Sequence, residues 1–224
     1  FATMNDLMIE ARAIRKQFGD LEVLKNIDLD IRSQEITSIV GASGAGKTTL
    51  LQILGTLDAP DAGELKIRGQ HVNGLKGRNL SAFRNSNIGF IFQFHRLLQE
   101  FSALENVLMP AWVAGKDDQV TKDRASGLLR DLGLGDRLTH LPAQLSGGEQ
   151  QRVAAARSLM NNPAVVLADE PTGNLDSGNA DSLFDLFVEL RNREGQTFVV
   201  VTHNEKLAAR GDRTVSMRDG LIIS

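Results

Sequence analysis

Residues 36–57, ITSIVGASGAGKTTLLQILGTL, decide the fold. Ile36–Val40 is a short apolar, β-rich run that stops at a glycine, the pattern of a buried strand entering a loop. Thr48–Leu57 follows as an amphipathic helix with Leu50, Leu51, Ile53, Leu54 and Leu57 on its apolar face. Between them, GASGAGKT at 41–48 fits G-x-x-x-x-G-K-[ST] in the strand–loop–helix setting that this motif requires. Gly41, Ala42, Ser43, Gly44, Ala45 and Gly46 would curl their backbone N–H groups round phosphate oxygens, and the start of the helix adds partial positive charge. Lys47 would reach the β- and γ-phosphates of a nucleotide. Thr48 would place its hydroxyl on Mg²⁺, and Thr49 joins the phosphate-binding set.

Outward from this stretch, residues 7–14 alternate loosely as a strand, and Val23–Ile31 runs toward another. Ile88–Phe92 (IGFIF), Ala164–Ala168 (AVVLA) and Thr197–Val201 (TFVVV) are continuous apolar runs separated by helical stretches. Strands buried on both faces and separated by helices indicate an α/β fold with a largely parallel sheet. Residues 95–160 are predicted to be mostly helical, with caps and breaks at Pro110, Gly115, Gly133, Pro142 and Ser146–Gly148, and look inserted between two halves of the sheet.

The run VVLADE at 165–170 ends four apolar residues in two acids. A carboxylate at the end of a buried strand is costly unless it has a partner. Asp169 suits Mg²⁺, bound through water because that ion keeps much of its hydration shell. Glu170, at the mouth of the site, would position or deprotonate an attacking water. DEPTG at 169–173 is also turn-rich, so the acids taken alone read equally as a solvated turn; the phosphate loop in the same chain favours the chemical reading.

The chain of 224 residues suits one compact domain with a modest inserted subdomain. Hydrophobic residues make up 42% and charged residues 24%, with a net charge of −3 and no dense basic block, which does not favour nucleic acid. There is no cysteine, which excludes disulfides, thiolate metal sites and cysteine nucleophiles. No apolar run approaches the ~20 residues that span a bilayer, and no signal-peptide pattern stands at the N-terminus. A membrane role is therefore expected to come through a partner. Phe1, Ala2 and Thr3 precede Met4 and read as an addition to the chain or the remnant of a longer one.

Residues 145–155, LSGGEQQRVAA, resemble the signature of ABC ATPases, a motif specific to that family among phosphate-loop proteins. Ser146, Gly147 and Gly148 open a helix, and Ser146 with Glu149 also forms a capping-box pattern; the two readings are compatible, since a cap presents the same N–H groups to an anion. The other family elements follow in order. Gln93 is similar to the glutamine that senses Mg²⁺ and the membrane partner. Asp176, in GNLDS at 173–177, is similar to the residue that crosses the dimer interface, and His203 to the switch histidine at the γ-phosphate. Phe18 stands where the family stacks an aromatic on adenine; a core phenylalanine is the other reading.

The resemblance covers nearly the whole chain. It implies a RecA-like phosphate-loop core with an antiparallel β part at the N-terminus and an inserted helical subdomain. As a single domain over 4–224, the core would take about 4–93 and 161–224, and the helical part about 94–160. It also implies Mg-ATP as the bound nucleotide and a head-to-tail homodimer that sandwiches two ATPs, with Glu170, His203, Lys47 and Gln93 in catalytic roles and no role for nucleic acid. Integral membrane transporter subunits would be the partners, with the chain peripheral on the cytoplasmic face of the bacterial inner membrane. Within the family, QFHRLLQEFSALENVLM at 93–109 is most similar to the lipoprotein-releasing Lol-type ATPases. Related branches are the MacB-type exporters and the FtsE-type division ATPases; a nucleotide-dependent interaction module without useful turnover is a reading of another class. Arg96, Gln99 and Asn204 depart from the commoner His, Pro and Asp of that pattern. The chain runs to Ser224 without a membrane domain, so a MacB-like fusion is not expected. Leu104 and Trp112 are expected to be only core of the helical part.

Overall fold

Two long strands, β1 (Leu7–Phe18) and β2 (Leu21–Arg32), pair antiparallel at the start of the computed structural model, which describes residues 7–223. The readings of Phe1–Thr3 and the outer limits at 4 and 224 lie outside the described residues. The loose alternation over 7–14 has a cause: Ala13 takes φ 50° and the register shifts there, so the buried set runs Ile9, Ala11, then Ile14. Strand β3 (Ile36–Val40) and helix α1 (Lys47–Leu54) flank the phosphate loop. The helix is shorter than predicted. Gly55 caps it and Thr56 turns left-handed at φ 56°, so Leu57 is exposed rather than on the apolar face. Strands β4 (Ala62–Ile67) and β5 (Gln70–His71) complete the antiparallel sheet in the order β2-β1-β4-β5.

Helix α2 (Gly77–Asn87) leads into β6 (Ile88–Phe92), and a loop then runs to α3 (Ala103–Val113). The predicted helical stretch from 95 therefore starts late. Pro110 does not break it either: it lies inside α3, and its carbonyl accepts from the side chains of Asn85 and Asn161, both at 3.0 Å. Helix α4 (Gln119–Asp131) and α5 (Gly147–Leu159) follow, with short 3-10 turns between them. The chain then alternates: β7 (Val165–Asp169), α6 (Ser177–Glu194), β8 (Thr197–Val201), α7 (Glu205–Ala208), β9 (Arg213–Arg218) and β10 (Leu221–Ile222). The second sheet has the order β10-β9-β3-β8-β7-β6, parallel throughout except at the β10 edge.

The two faces of this sheet carry two cores. Val165 and Leu167 of β7, with Val199 and Val201 of β8, face α1 and the antiparallel sheet. Val166, Ala168, Phe198 and Val200 face the other way, against residues of α3, α4, α5 and α6. Successive strand side chains point to opposite faces, so a strand sandwiched this way must be apolar at every position. Each fully buried Val, Leu or Phe contributes about 1.5–3 kcal/mol. Leu104 and Trp112 pack against the second core as expected. Backbone approach is close where β6 meets α5: a Cβ on Gly89 would stand 2.4 Å from the Ser158 carbonyl oxygen. Gly89→Ala should therefore destabilise the chain by about 1–3 kcal/mol through overpacking, read as a lower urea midpoint with an unchanged m-value.

Candidate functional site

In a parallel sheet the C-terminal strand ends share one edge, where open α/β folds bind ligands. Here β3, β6, β7 and β8 all deliver their next residues to that edge. After β3, residues 41–46 turn tightly into α1. Gly46 is the N-cap residue at φ 96°, offers no side-chain cap, and a Cβ there would meet Leu24 Cδ2 at 2.9 Å. The first N–H groups of α1 thus lack a side-chain acceptor at the cap and are free for an anion. Lys47 is only 8% exposed, and its Nζ donates to the carbonyls of Gly41 (2.7 Å) and Ala42 (2.9 Å). Among the described residues no carboxylate pairs with it. A buried ammonium held only by neutral oxygens is poised for a negative ligand.

β7 ends at Asp169, whose Oδ1 accepts from the Thr48 hydroxyl at 3.1 Å. Burial pushes the Asp169 carboxyl above the usual range; the Thr48 bond opposes this, and neighbouring Glu170 adds to it. Glu170 takes the left-handed conformation at φ 46°, which costs a non-glycine residue about 1–2 kcal/mol. Neighbouring contacts hold it there. Its N–H donates to the Val201 carbonyl (2.9 Å), and its carbonyl accepts from Gly173 N–H (3.0 Å). Its Oε2 meets His203 Nδ1 at 2.9 Å and the His203 N–H at 3.3 Å. Strain retained in this way is characteristic of functional positions. Gln93 follows β6. Its carbonyl accepts from Asn174 Nδ2 (3.0 Å), and its amide abuts Gly173.

One open cavity of about 540 Å³ gathers Ser43, Gly44, Gly46, Lys47, Thr48, Thr49, Gln93, Glu170 and His203. Leu21 and Val23 of β2 also line it. Sequence reading assigned them no role, since nothing but tertiary position separates them from other strand residues. Gly41 and Ala42 serve through their carbonyls; Ala45 is buried, and its carbonyl accepts from Gly220 N–H at 3.2 Å. Phe18 is 52% exposed with the Lys16 ammonium 5.1 Å from its ring centroid, which corrects the core reading. It is not among the cavity's lining residues.

The signature residues and Asp176 are elsewhere. Ser146 caps α5: its hydroxyl accepts from Glu149 N–H (3.3 Å), and Glu149 Oε2 accepts from Ser146 N–H (2.8 Å). These bonds, with Arg137 at 3.0 Å, hold the Glu149 carboxyl down to about 2. Gly147 and Gly148 form the first turn. Asp176 caps α6. None of these residues lines the cavity. Asn204, in place of the commoner Asp, caps α7 by accepting from Lys206 N–H (3.1 Å) and Leu207 N–H (3.2 Å), work that Asn does as well as Asp.

Residues 24–173 match the ABC transporter family. The chain is 59% identical over 218 residues to the lipoprotein-releasing system ATP-binding protein LolD of Porphyromonas gingivalis, covering 97% of this chain and all of the relative. It is 60% identical over 215 residues to the protein of the same name from Bacteroides thetaiotaomicron, covering 96% and 99%. Its structure is similar to a dimeric post-hydrolysis state of an ATP-binding cassette bound to ADP and Pi, with a TM-score of 0.88, 39% identity and 97% of each chain covered.

The raised Asp169 pKa gives a test. Asp169→Asn keeps an acceptor for Thr48 and removes the half-buried charge beside Glu170. The nucleotide-free variant should melt at a higher temperature than the parent while its nucleotide binding weakens, as stability and function trade off at such sites. A lower melting temperature would show that the carboxylate is stabilised where it stands.

Proposed function

Because the chain belongs to the ABC transporter family, we propose that it is the ATP-hydrolysing subunit of a complex that releases lipoproteins from the inner membrane for transfer to the outer membrane. The observation that carries the hydrolytic part is the Glu170 carboxylate, bonded to His203 in a cavity that the buried Lys47 also lines. The lipoprotein part rests on near-60% identity to relatives of that name over their whole length.

In this reading the loop N–H groups and Lys47 hold the β- and γ-phosphates, and Phe18 offers an exposed ring to adenine beside Leu21 and Val23. The donor set fits Mg²⁺: the Thr48 hydroxyl and the Asp169 carboxylate already touch, with Gln93 at the same cavity, and all three present oxygen. Bound there, the ion would neutralise charge on the phosphates. Glu170 orients the attacking water and takes its proton, and His203 trades its bond to Glu170 for the γ-phosphate. Ser146, Gly147, Gly148 and Asp176 complete the site of a second copy, head to tail, which accounts for their distance from the cavity of their own chain. Twofold symmetry makes the two sites equivalent.

The same reading divides the chain into a core of about 4–93 and 161–224 and a helical part of about 94–160. No helix among the described residues is long and apolar enough to cross a membrane; in this reading the chain attaches to membrane subunits on the cytoplasmic face. Their seat is the groove of about 460 Å³ at the junction of α2, β6, α3 and α5. It is lined by Phe90, Phe92, Arg84, Arg96 and Arg157, and no carboxylate of the described residues lines it. Phe94, close in sequence to this groove, is 68% exposed, and a large solvent-facing aromatic suits an interface anchor.

Two experiments test the proposal. In cells depleted of the protein, lipoproteins should accumulate in the inner membrane. The intact gene should restore their sorting and Glu170→Gln should not, the purified variant hydrolysing ATP at least about 100-fold more slowly and forming an ATP-bound dimer. Normal sorting on depletion removes the lipoprotein reading and leaves the ATPase. Separately, Phe94→Ala should leave hydrolysis by the isolated chain within about twofold and weaken binding to the membrane subunits by about tenfold or more, measured by co-purification.

A further inference from the structure

Helices α5 and α6 touch near their first turns. In α6, Asn179 spends two donors on one carboxylate: its N–H donates to Asp176 Oδ1 (2.9 Å) and its Nδ2 to Asp176 Oδ2 (2.7 Å). The remaining polar atom, Oδ1, faces α5. A Cβ built on Gly148 would stand 2.6 Å from Asn179 Oδ1 and 2.9 Å from its Cγ, and the three nearest atoms all belong to Asn179. Gly148 is buried, Asn179 half-buried and Asp176 exposed. A side chain on residue 148 would displace the amide, so the glycine leaves room for it.

On the α5 side the first turn is tied down independently. Arg137 grips one oxygen of Glu149, and the other accepts from the Ser146 N–H. The amide of Asn179 therefore stands between two fixed caps, the one carrying Ser146–Gly148 and the one carrying Asp176. We infer that Asn179 is a positioning residue that clamps the Asp176 loop to the first turn of the signature helix, so that both are presented to the second copy as one unit. This rests on the sandwich dimer proposed above and adds to it a residue that the family pattern did not supply.

The clamp acts on geometry more than on stability. Asp176 is exposed, so in the isolated chain water replaces the one bond, from Nδ2, that an alanine at 179 would lose, while the backbone N–H keeps its own, and the net change is small. What is lost is preorganisation, which is felt only when the face closes on a partner. The bonds from Asn179 also hold the Asp176 carboxyl below the usual range.

The test uses the full chain carrying Glu170→Gln, with saturating Mg-ATP and sedimentation to read dimer affinity. Adding Asn179→Ala should weaken the dimer by about tenfold, equal to about 1.4 kcal/mol, while nucleotide affinity of the monomer stays within about twofold. In a chain that also carries Asp176→Ala the clamp has one jaw only, and Asn179→Ala should then cost less than about twofold, the non-additivity that marks action through a shared partner. An unchanged dimer, an equal loss in both backgrounds, or a fall in monomer nucleotide affinity overturns the clamp. A Glu170→Gln parent that stays monomeric in ATP overturns the sandwich itself and the clamp with it.

Discussion

A parallel sheet buried on both faces can bring polar chemistry to water only at the ends of its strands. That constraint organises this molecule. β3, β7 and β8 are apolar or fully covered along their length, with helices on one side and the antiparallel sheet on the other. The charged groups stand at the C-terminal edge, where Lys47, Glu170 and His203 line one cavity and Asp169 bonds Thr48 beside it. Register does the alignment. Because Asp169 pairs with Val201 in adjacent parallel strands, Glu170 N–H reaches the Val201 carbonyl and its carboxylate reaches His203 two residues further on. The left-handed backbone at Glu170 bends the chain off the strand and aims the side chain into the cavity.

The same pattern explains which parts were readable from residues alone. Continuous apolar runs such as VVLA and TFVVV can hardly be anything but buried strands when glycines and acids close them, and the phosphate loop is fixed by the need for backbone N–H groups at a helix start. α2 was not readable, because none of its residues is buried and its sequence GRNLSAFRNSN carries no apolar stripe. It is held instead by tertiary contacts such as Arg84 gripping Thr56. The β4–β5 hairpin turns at Arg68 and Gly69, both at positive φ, and an arginine there gives no turn signal. Pro110 misled as well: its missing N–H and its ring are expected to end a helix, whereas α3 runs through it to Val113.

What the sequence left unread around the cavity has two origins. Glycine, lysine and carboxylate positions follow from what phosphate and a divalent cation demand, so their motifs are tight. Leu21 and Val23 add apolar surface to the cavity without any marker in the sequence. Asn179 was invisible for another reason: it bonds within its own helix turn, a common pattern, and its second role appears only because Gly148 of a different helix lies against it.

These parts separate two kinds of precision. Inside one chain, the phosphate loop and the acids are held by strand register and burial, so that half of the site is complete before any ligand arrives. The signature turn and Asp176 adjoin each other through Asn179, and none of them lines the cavity of their own chain. In the proposed sandwich the carboxylate that orients the water and the phosphate cradle belong to one chain, and the closing face comes from the other. Neither half does the whole chemistry alone. Nucleotide bound to one half is therefore the natural means of recruiting the other, and the free energy of closing two such faces becomes available for work on whatever is attached to them.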